Sequence, residues 1–380
     1  MTSAEHGRSD SAGTLVDRGD GRTFPCGSCG ADLVFSIGQQ SLECPYCGDV
    51  REIEHAPESE VREQDFRAQL RRLAELRSDA AAGASEDGLN EVQCDACGAT
   101  VVFPGTLTSS ECSFCGSPIQ RAAVHTAADR VTVDGVVAFM VNRDTARANL
   151  AKWVKSRWFA PNEFKRRGVD GRFTGIYLPF WTFDSHTFSR YRGERGEYYY
   201  VTVGSGKNKR RERRTRWYSA SGTVRQFFDD VLVVATNALP RSIIDKLEPW
   251  PLHTVQPYTP ELLAGSLART YDVELDDGFG IARGRIDDAI RGLVRRDIGG
   301  DTQRIHEVST TYDPITYKHL LLPVWVMAYR FREKTYRVTV NAATGEVHGE
   351  RPWSAWKIAA AVVSGLVAVG GVAAAVATQQ

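Results

Sequence analysis

Cys26-Gly-Ser-Cys29-Gly30-Ala-Asp-Leu-Val-Phe-Ser-Ile-Gly-Gln-Gln-Ser-Leu-Glu-Cys44-Pro-Tyr-Cys47-Gly48 sets two Cys-x-x-Cys-Gly turns around a short apolar segment. The pattern recurs as Cys94-Asp-Ala-Cys97-Gly98 and Cys112-Ser-Phe-Cys115-Gly116. Fourteen residues, the first Gly included, separate the pairs in both copies, and no cysteine is left over. Each copy supplies four thiolates, which close a tetrahedral structural site and leave no open position for substrate. Gly30, Gly48, Gly98 and Gly116 fall where a metal knuckle turns through positive φ, a region Gly enters without penalty. Cys-x-x-Cys turns suit a metal better than structural bridging. Two zinc ions are therefore expected, one on Cys26, Cys29, Cys44 and Cys47 and one on Cys94, Cys97, Cys112 and Cys115. Cys-Pro-Tyr-Cys-Gly also resembles a rubredoxin knuckle, so iron satisfies the spacing as well as zinc does.

Working outward, the 380 residues are too many for two ribbons alone and leave room for a sizeable core. Basic and acidic residues balance at 47 each, which gives no global pull toward nucleic acid. Paired metal thiolates suit a reducing compartment. Residues 1–22 are rich in Ser, Gly and Asp, have no apolar core and read as a disordered tail rather than a signal peptide. Ribbon 1 occupies 23–54, a helix and a small-residue linker 55–90, and ribbon 2 91–122. The helix is carried by Phe66, Leu70, Leu73 and Leu76 at helical spacing.

Residues 123–350 read as an α+β domain. Helices are expected over 143–158 and 286–298, and strands over 131–141, 175–183, 217–234 and 319–329. The strand-and-helix order lacks the regular alternation of a parallel doubly wound sheet. Leu178-Pro-Phe-Trp181 and Leu322-Pro-Val-Trp325 each follow a helix and precede strand formers. Internal duplication of a helix-plus-antiparallel-sheet unit and coincidence both account for the pair.

Residues 351–380 read as a juxtamembrane segment and a transmembrane tail anchor. Ile358 to Ala377 holds twenty residues without a charge, eight of them Ala, six Val and three Gly. Twenty residues at 1.5 Å rise span roughly 30 Å, a bilayer core. Arg351, Trp353, Trp356 and Lys357 precede the run as interfacial anchors do. One C-terminal transmembrane helix, a single-pass cell-membrane location and a cytoplasmic bulk are expected. Ala361/Gly365 and Gly370/Ala374 would let such helices pack, so a homo-oligomer is compatible. A buried Ala-rich helix is the other reading.

No catalytic or organic-cofactor site assembles from the sequence, and the chain is read as a non-enzyme. There is no His-Glu-x-x-His helix, and every cysteine is committed to metal. Val203-Gly-Ser-Gly-Lys-Asn208 departs from a phosphate loop and reads as a turn. Asp229-Asp230 reads as a strand-edge or capping pair, with acid–base or metal work as the alternative. Lys207 to Arg216 sets seven positive charges against Glu212. A solvated hairpin loop, attraction to anionic lipid and nucleic-acid binding all fit it. The ribbons argue against phosphate: neither 26–50 nor 94–120 holds a Lys or Arg, and four thiolates on a divalent ion carry a net −2. Leu33, Val34, Phe35, Val101, Val102 and Phe103 suit ribbon cores or a protein partner.

One combination is specific. Trp158-Phe-Ala-Pro161, Gly175-Ile-Tyr-Leu-Pro-Phe-Trp181, Thr215-Arg-Trp217, Phe228-Asp-Asp-Val-Leu232, Leu247-Glu-Pro-Trp250, Tyr317-Lys-His-Leu-Leu-Leu-Pro-Val-Trp325, Thr344-Gly-Glu346 and Gly349-Glu-Arg-Pro352 follow the ribbons. Together they resemble a bacterial family of TFIIB-type zinc-ribbon membrane proteins that includes YdjG-like proteins. Such chains are often labelled primosomal-helicase-like through their cysteines; no Walker motif or helicase core is present here. The resemblance covers residues 23 to 358 and implies a membrane-tethered adaptor on the cytoplasmic face. It implies recruitment of protein partners such as PspA-like or SPFH/flotillin-like proteins in envelope stress. A nucleic-acid-binding or transcription-related zinc-ribbon factor is the alternative.

Overall fold

The computed structural model describes residues 21–22, 24–53, 61–81, 89–93, 100–104, 107–111, 118–121, 131–167, 173–206, 209–237, 239–332 and 334–377. It is a mixed helix-and-sheet protein built on one large, mainly antiparallel sheet, twelve-stranded among the described residues.

The ribbon contributes β1 (Val34–Ser36), β2 (Ser41–Glu43) and β3 (Val50–Arg51), an antiparallel three-stranded sheet of its own. Helix α1 (Phe66–Ala81) follows, then β4 (Gly135–Val136), α2 (Arg143–Ser156) and α3 (Asn162–Arg167). The frame is set by β5 (Thr174–Val203) and β6 (Arg210–Val234). Next come β7 (Leu267–Arg269), α4 (Leu275–Ile298) and β8 (Thr302–Phe331). β9 (Lys334–Asn341), β10 (Val347–Gly349) and α5 (Ala355–Ala377) close the chain.

Strands β5 and β8 are 30 residues each and β6 is 25. At roughly 3.3 Å per residue a 30-residue strand follows about 100 Å of path, where strands of about 3–10 residues are usual. β5 lies between β6 and β8 and is antiparallel to both. Near the base β8 also pairs with β9, and β4 and β7 add short parallel edges to β8 and β5. Alternation explains the distal half. From Ser185 to Gly193 every odd residue of β5 is buried, while the even residues are exposed or only part-covered. The odd face lies under α4, whose Ala282, Ile286, Ile290, Val294 and Ile298 recur at helical spacing. The even face is open.

The two Leu-Pro-x-Trp motifs meet across the β5–β8 ladder, with Leu178 directly opposite Leu322. Trp181 lies among Tyr271, Tyr317 and His319, and its Nε1 donates to the Val273 carbonyl at 2.9 Å. Gly278 of α4 makes room for it: a Cβ there would lie 2.6 Å from Trp181 Cδ1. Trp325 packs on Phe139 and Phe173 in a second core that α2 covers with Ala146, Leu150 and Val154. After β9, Gly345 turns at φ +84°, and Asn341 Oδ1 accepts from the Ala343 and Thr344 amides.

Two expectations change here. The basic run is not a loop: Arg210 onward is strand β6, in register with Val203 back along β5. Its leading residues, 207 and 208, lie outside the described residues.

The C-terminal run does form a helix, α5, but among the described residues no helix is long and apolar enough to cross a membrane. Ala, Gly and Ser make up twelve of the twenty residues at 358–377, and such small side chains carry little apolar area. The expected transmembrane helix at 358–377, the membrane contact through it and the single-pass location with a cytoplasmic bulk are corrected accordingly. At its base α5 is tied to the body. Lys357 Nζ donates to the carbonyls of Trp158 and Ala160 at 3.2 and 2.9 Å and to Asn162 Oδ1 at 2.7 Å.

Candidate metal centre

Cys26, Cys29, Cys44 and Cys47 converge, with all four sulfurs within 4.8 Å of one another. Two matching knuckles bring them there. The Gly30 amide donates to the Cys26 carbonyl and the Gly48 amide to the Cys44 carbonyl, both at 2.9 Å. Both glycines sit at φ +74°, the left-handed conformation that Gly adopts without strain. The Cys26 amide donates to Ala31 and the Cys44 amide to Asp49, closing each turn.

Sγ–Sγ separations of 3.5 Å, Cys26 to Cys47 and Cys29 to Cys44, are close to tetrahedral edges. A Zn–S bond of ~2.3 Å implies edges of about 3.8 Å. The set could hold one tetrahedral metal ion, and zinc and iron both suit four thiolates. Without metal the four thiols cannot ionise independently. The Cys47 amide, foremost, holds the Cys44 thiol down at about 7 against burial. The Asp49 amide favours a Cys47 thiolate, but Cys29, Cys26 and Cys44 outweigh it and push that thiol up to about 12. A divalent cation relieves this crowding by neutralising two of the four negative charges.

Cys26 and Cys44 are buried and Cys29 and Cys47 exposed. The buried side continues into the body. Phe24, Leu33, Phe35 and Leu42 share one apolar core with Phe139, Leu262, Leu263 and Ala264. The Phe35 amide donates to the Ala264 carbonyl at 3.1 Å, and Gln40 Nε2 to the Phe139 carbonyl at 2.9 Å. Leu33 and Phe35, read from sequence as ribbon core or partner surface, pack within the chain. Cys94, Cys97, Cys112 and Cys115 lie outside the described residues. Before and after the first of those pairs, Leu89–Gln93 and Thr100–Pro104 form an antiparallel hairpin.

A second polar cluster sits where β5 leaves the body. The register slips between Phe183 and Ser185, so Asp184 faces both Asp229 and Asp230. Asp230 takes φ +49°, and its amide donates to Asp184 Oδ1. Lys318 Nζ lies 2.9 Å from Asp230, 3.6 Å from Glu63 and 3.9 Å from Asp184. Burial would lower the lysine, but Asp230, Asp184 and Glu63 hold it above its ordinary range. Asp184 is 2% exposed, and burial pushes its carboxyl up to about 6 against the Asp230 amide and Lys318. Val61, Leu252, Val255 and Leu320 line, with Asp230 and Lys318, an adjoining cavity of about 430 Å³. Oxygens of Asp184, Asp229 and Asp230 approach within 4.8 Å, but the lysine already fills the role of the cation. The sequence reading singled out only the Asp229-Asp230 pair. A charged Asp184 directly after the buried run Phe180-Trp-Thr-Phe183 was the available signal.

Beside it Asp134 accepts from the His319 amide at 2.7 Å, and burial raises its carboxyl from 3.8 to about 6. Between those values the folded chain keeps a proton that the unfolded chain has released. The contribution to stability is therefore full below about 3.8 and is lost as pH rises through about 6. Asp134→Asn removes this dependence. Urea midpoints from pH 4 to 7 should show the variant gaining on the parent as pH rises; parallel curves would count against it.

Comparison with known proteins adds one full-length likeness. The uncharacterized protein YdjG of Bacillus subtilis (strain 168) is 25% identical over 350 residues, covering 89% of this chain and 92% of YdjG. No family model and no solved structure matches. The YdjG-like part of the resemblance thus stands on a match along nearly the whole chain, and nothing found places the chain in a TFIIB-type zinc-ribbon family.

Proposed function

We propose that the chain is a metal-stapled adaptor that recruits protein partners through the outer face of its first ribbon. The mounting of that ribbon supports the reading. Its inner face is fastened to the body through Phe35, Gln40 and Leu42. Its outer knuckle holds Tyr46 between Cys44 and Cys47, 82% exposed, with Val50 nearby on β3 also exposed. A tyrosine held by metal ligands on both sides loses little freedom on binding, and Tyr is enriched among residues that anchor interfaces. Asp32, Glu43, Asp49 and the net negative tetrathiolate make the face averse to phosphate and receptive to a polar or basic protein surface.

In this reading the chain carries no catalytic residues. PspA-like and SPFH/flotillin-like proteins, implied by the resemblance, are the first partners to test. Tyr46→Ala should leave metal content and folding unchanged and weaken capture of such a partner about tenfold or more. Equal capture by parent and variant would reject the ribbon as the recruiting surface.

A further inference from the structure

The ribbon reading leaves out the other end of the molecule, the distal arm of β5, β6 and β8. Its even face is open and carries a repeated pairing. Arg211 lies 4.2 Å from the Tyr200 ring and Arg213 4.3 Å from Tyr198. Arg304 lies 3.9 Å from Trp217, and Arg225 5.2 Å from Phe188. Register places these rings on one face. Phe188, Tyr198 and Tyr200 are even residues of β5, and Trp217 is opposite Gly196. Gly196 allows this, since a Cβ there would come 2.8 Å from the Trp217 ring.

The charge on the arm is unbalanced. From Lys209 to Arg216 six cations face one acid, Glu212. Arg214 is 3.9 Å from Glu212, while the contacts of Arg211 and Arg213 are with the tyrosine rings. About 20 residues of strand, on the order of 65 Å of path, separate this tip from the acidic ribbon's contacts near the base of β5. That is many Debye lengths, so the ribbon's charge does not cancel the arm's.

A row of aromatic rings and guanidinium planes along a positively charged strand has two functions. The cations track a phosphate backbone, and the planes stack unpaired bases. An acidic protein would use the charge but not the repeated planes, and a duplex hides its base faces. We infer that the open face of the arm binds single-stranded nucleic acid with little sequence preference, in addition to and independently of recruitment at Tyr46.

The test is fluorescence anisotropy of the full chain with labelled dT20 and U20 at 50 and 200 mM NaCl. Binding is expected at 50 mM, weakening roughly tenfold to hundredfold at 200 mM. Arg211→Ala with Arg213→Ala should weaken binding and flatten the salt dependence. Tyr198→Ala with Tyr200→Ala changes no charge and should weaken it about tenfold. Tyr198→Phe with Tyr200→Phe should retain it, and unchanged circular dichroism shows that the arm is intact. No binding at 50 mM would overturn the inference. So would equal binding of a 20-base-pair duplex, indifference to the Tyr→Ala pair, or binding confined to vesicles of phosphatidylcholine and phosphatidylserine.

Discussion

Cys44→Ser should cost the chain one equivalent of bound metal and release the ribbon from the body. Cys44 is the buried ligand whose thiol the Cys47 amide already favours as thiolate, and it shares a core with Phe139 and Leu263. Three thiolates and a hydroxyl are a poorer set for a divalent ion. Structural zinc supplies about 10–16 kcal/mol of apparent binding energy in small ribbons, energy that is also folding energy. β1, β2 and β3 are two or three residues each, too short to hold a sheet unaided. Without the ion the strands should fray, and Phe35 should lose its bond to Ala264. Metal analysis and amide exchange check this: one equivalent lost, and the Phe35 amide deprotected. Full metal content, or an unchanged Phe35 amide, would show that packing alone holds the ribbon. The body should stay folded, because α4 and the long strands form a separate core.

Trp181→Ala should have the largest effect on that body. Trp181 is fully buried where β5, β8 and the start of α4 meet. Removing a buried Trp costs about 3–5 kcal/mol, and a further penalty follows from leaving the buried Val273 carbonyl without its donor. Against a usual stability of about 5–15 kcal/mol, this takes a large share. Trp181→Phe keeps most of the apolar contact and loses only the N–H, so its cost should be intermediate. Urea unfolding followed by far-ultraviolet dichroism gives the ordering parent, Phe, Ala. Equal midpoints for Phe and Ala would mean that the hydrogen bond, not the ring, carries the site.

Local patterns were legible wherever one short stretch carries its own periodicity or chemistry. The Cys-x-x-Cys-Gly turns specify the knuckles, because spacing and positive-φ glycines alone dictate them. The helix expected over 143–158 was readable for the same reason, and α2 occupies Arg143–Ser156. The length of α4 was not. Its first turns carry two glycines, poor helix signals, and Gly278 is there because Trp181 needs the space. The basic run misled as a loop because its strand character comes from pairing with Tyr198 to Val203, not from its own residues. The C-terminal run misled in another way: its lack of charge suggested a span, but a spanning helix also needs apolar area, and Ala, Gly and Ser supply little of it.

The sequence by itself determined that Cys26, Cys29, Cys44 and Cys47 converge on two Gly-closed turns, since such a cluster is written in spacing. Only the tertiary structure decided that the ribbon's apolar face is buried against Phe139 and Ala264. It also placed Lys318 among Asp184, Asp230 and Glu63, and set Arg211 and Arg213 on rings from a strand some dozen residues away. Those are non-local pairings, fixed by the register of long strands, and register is a property of two strands that neither one carries alone.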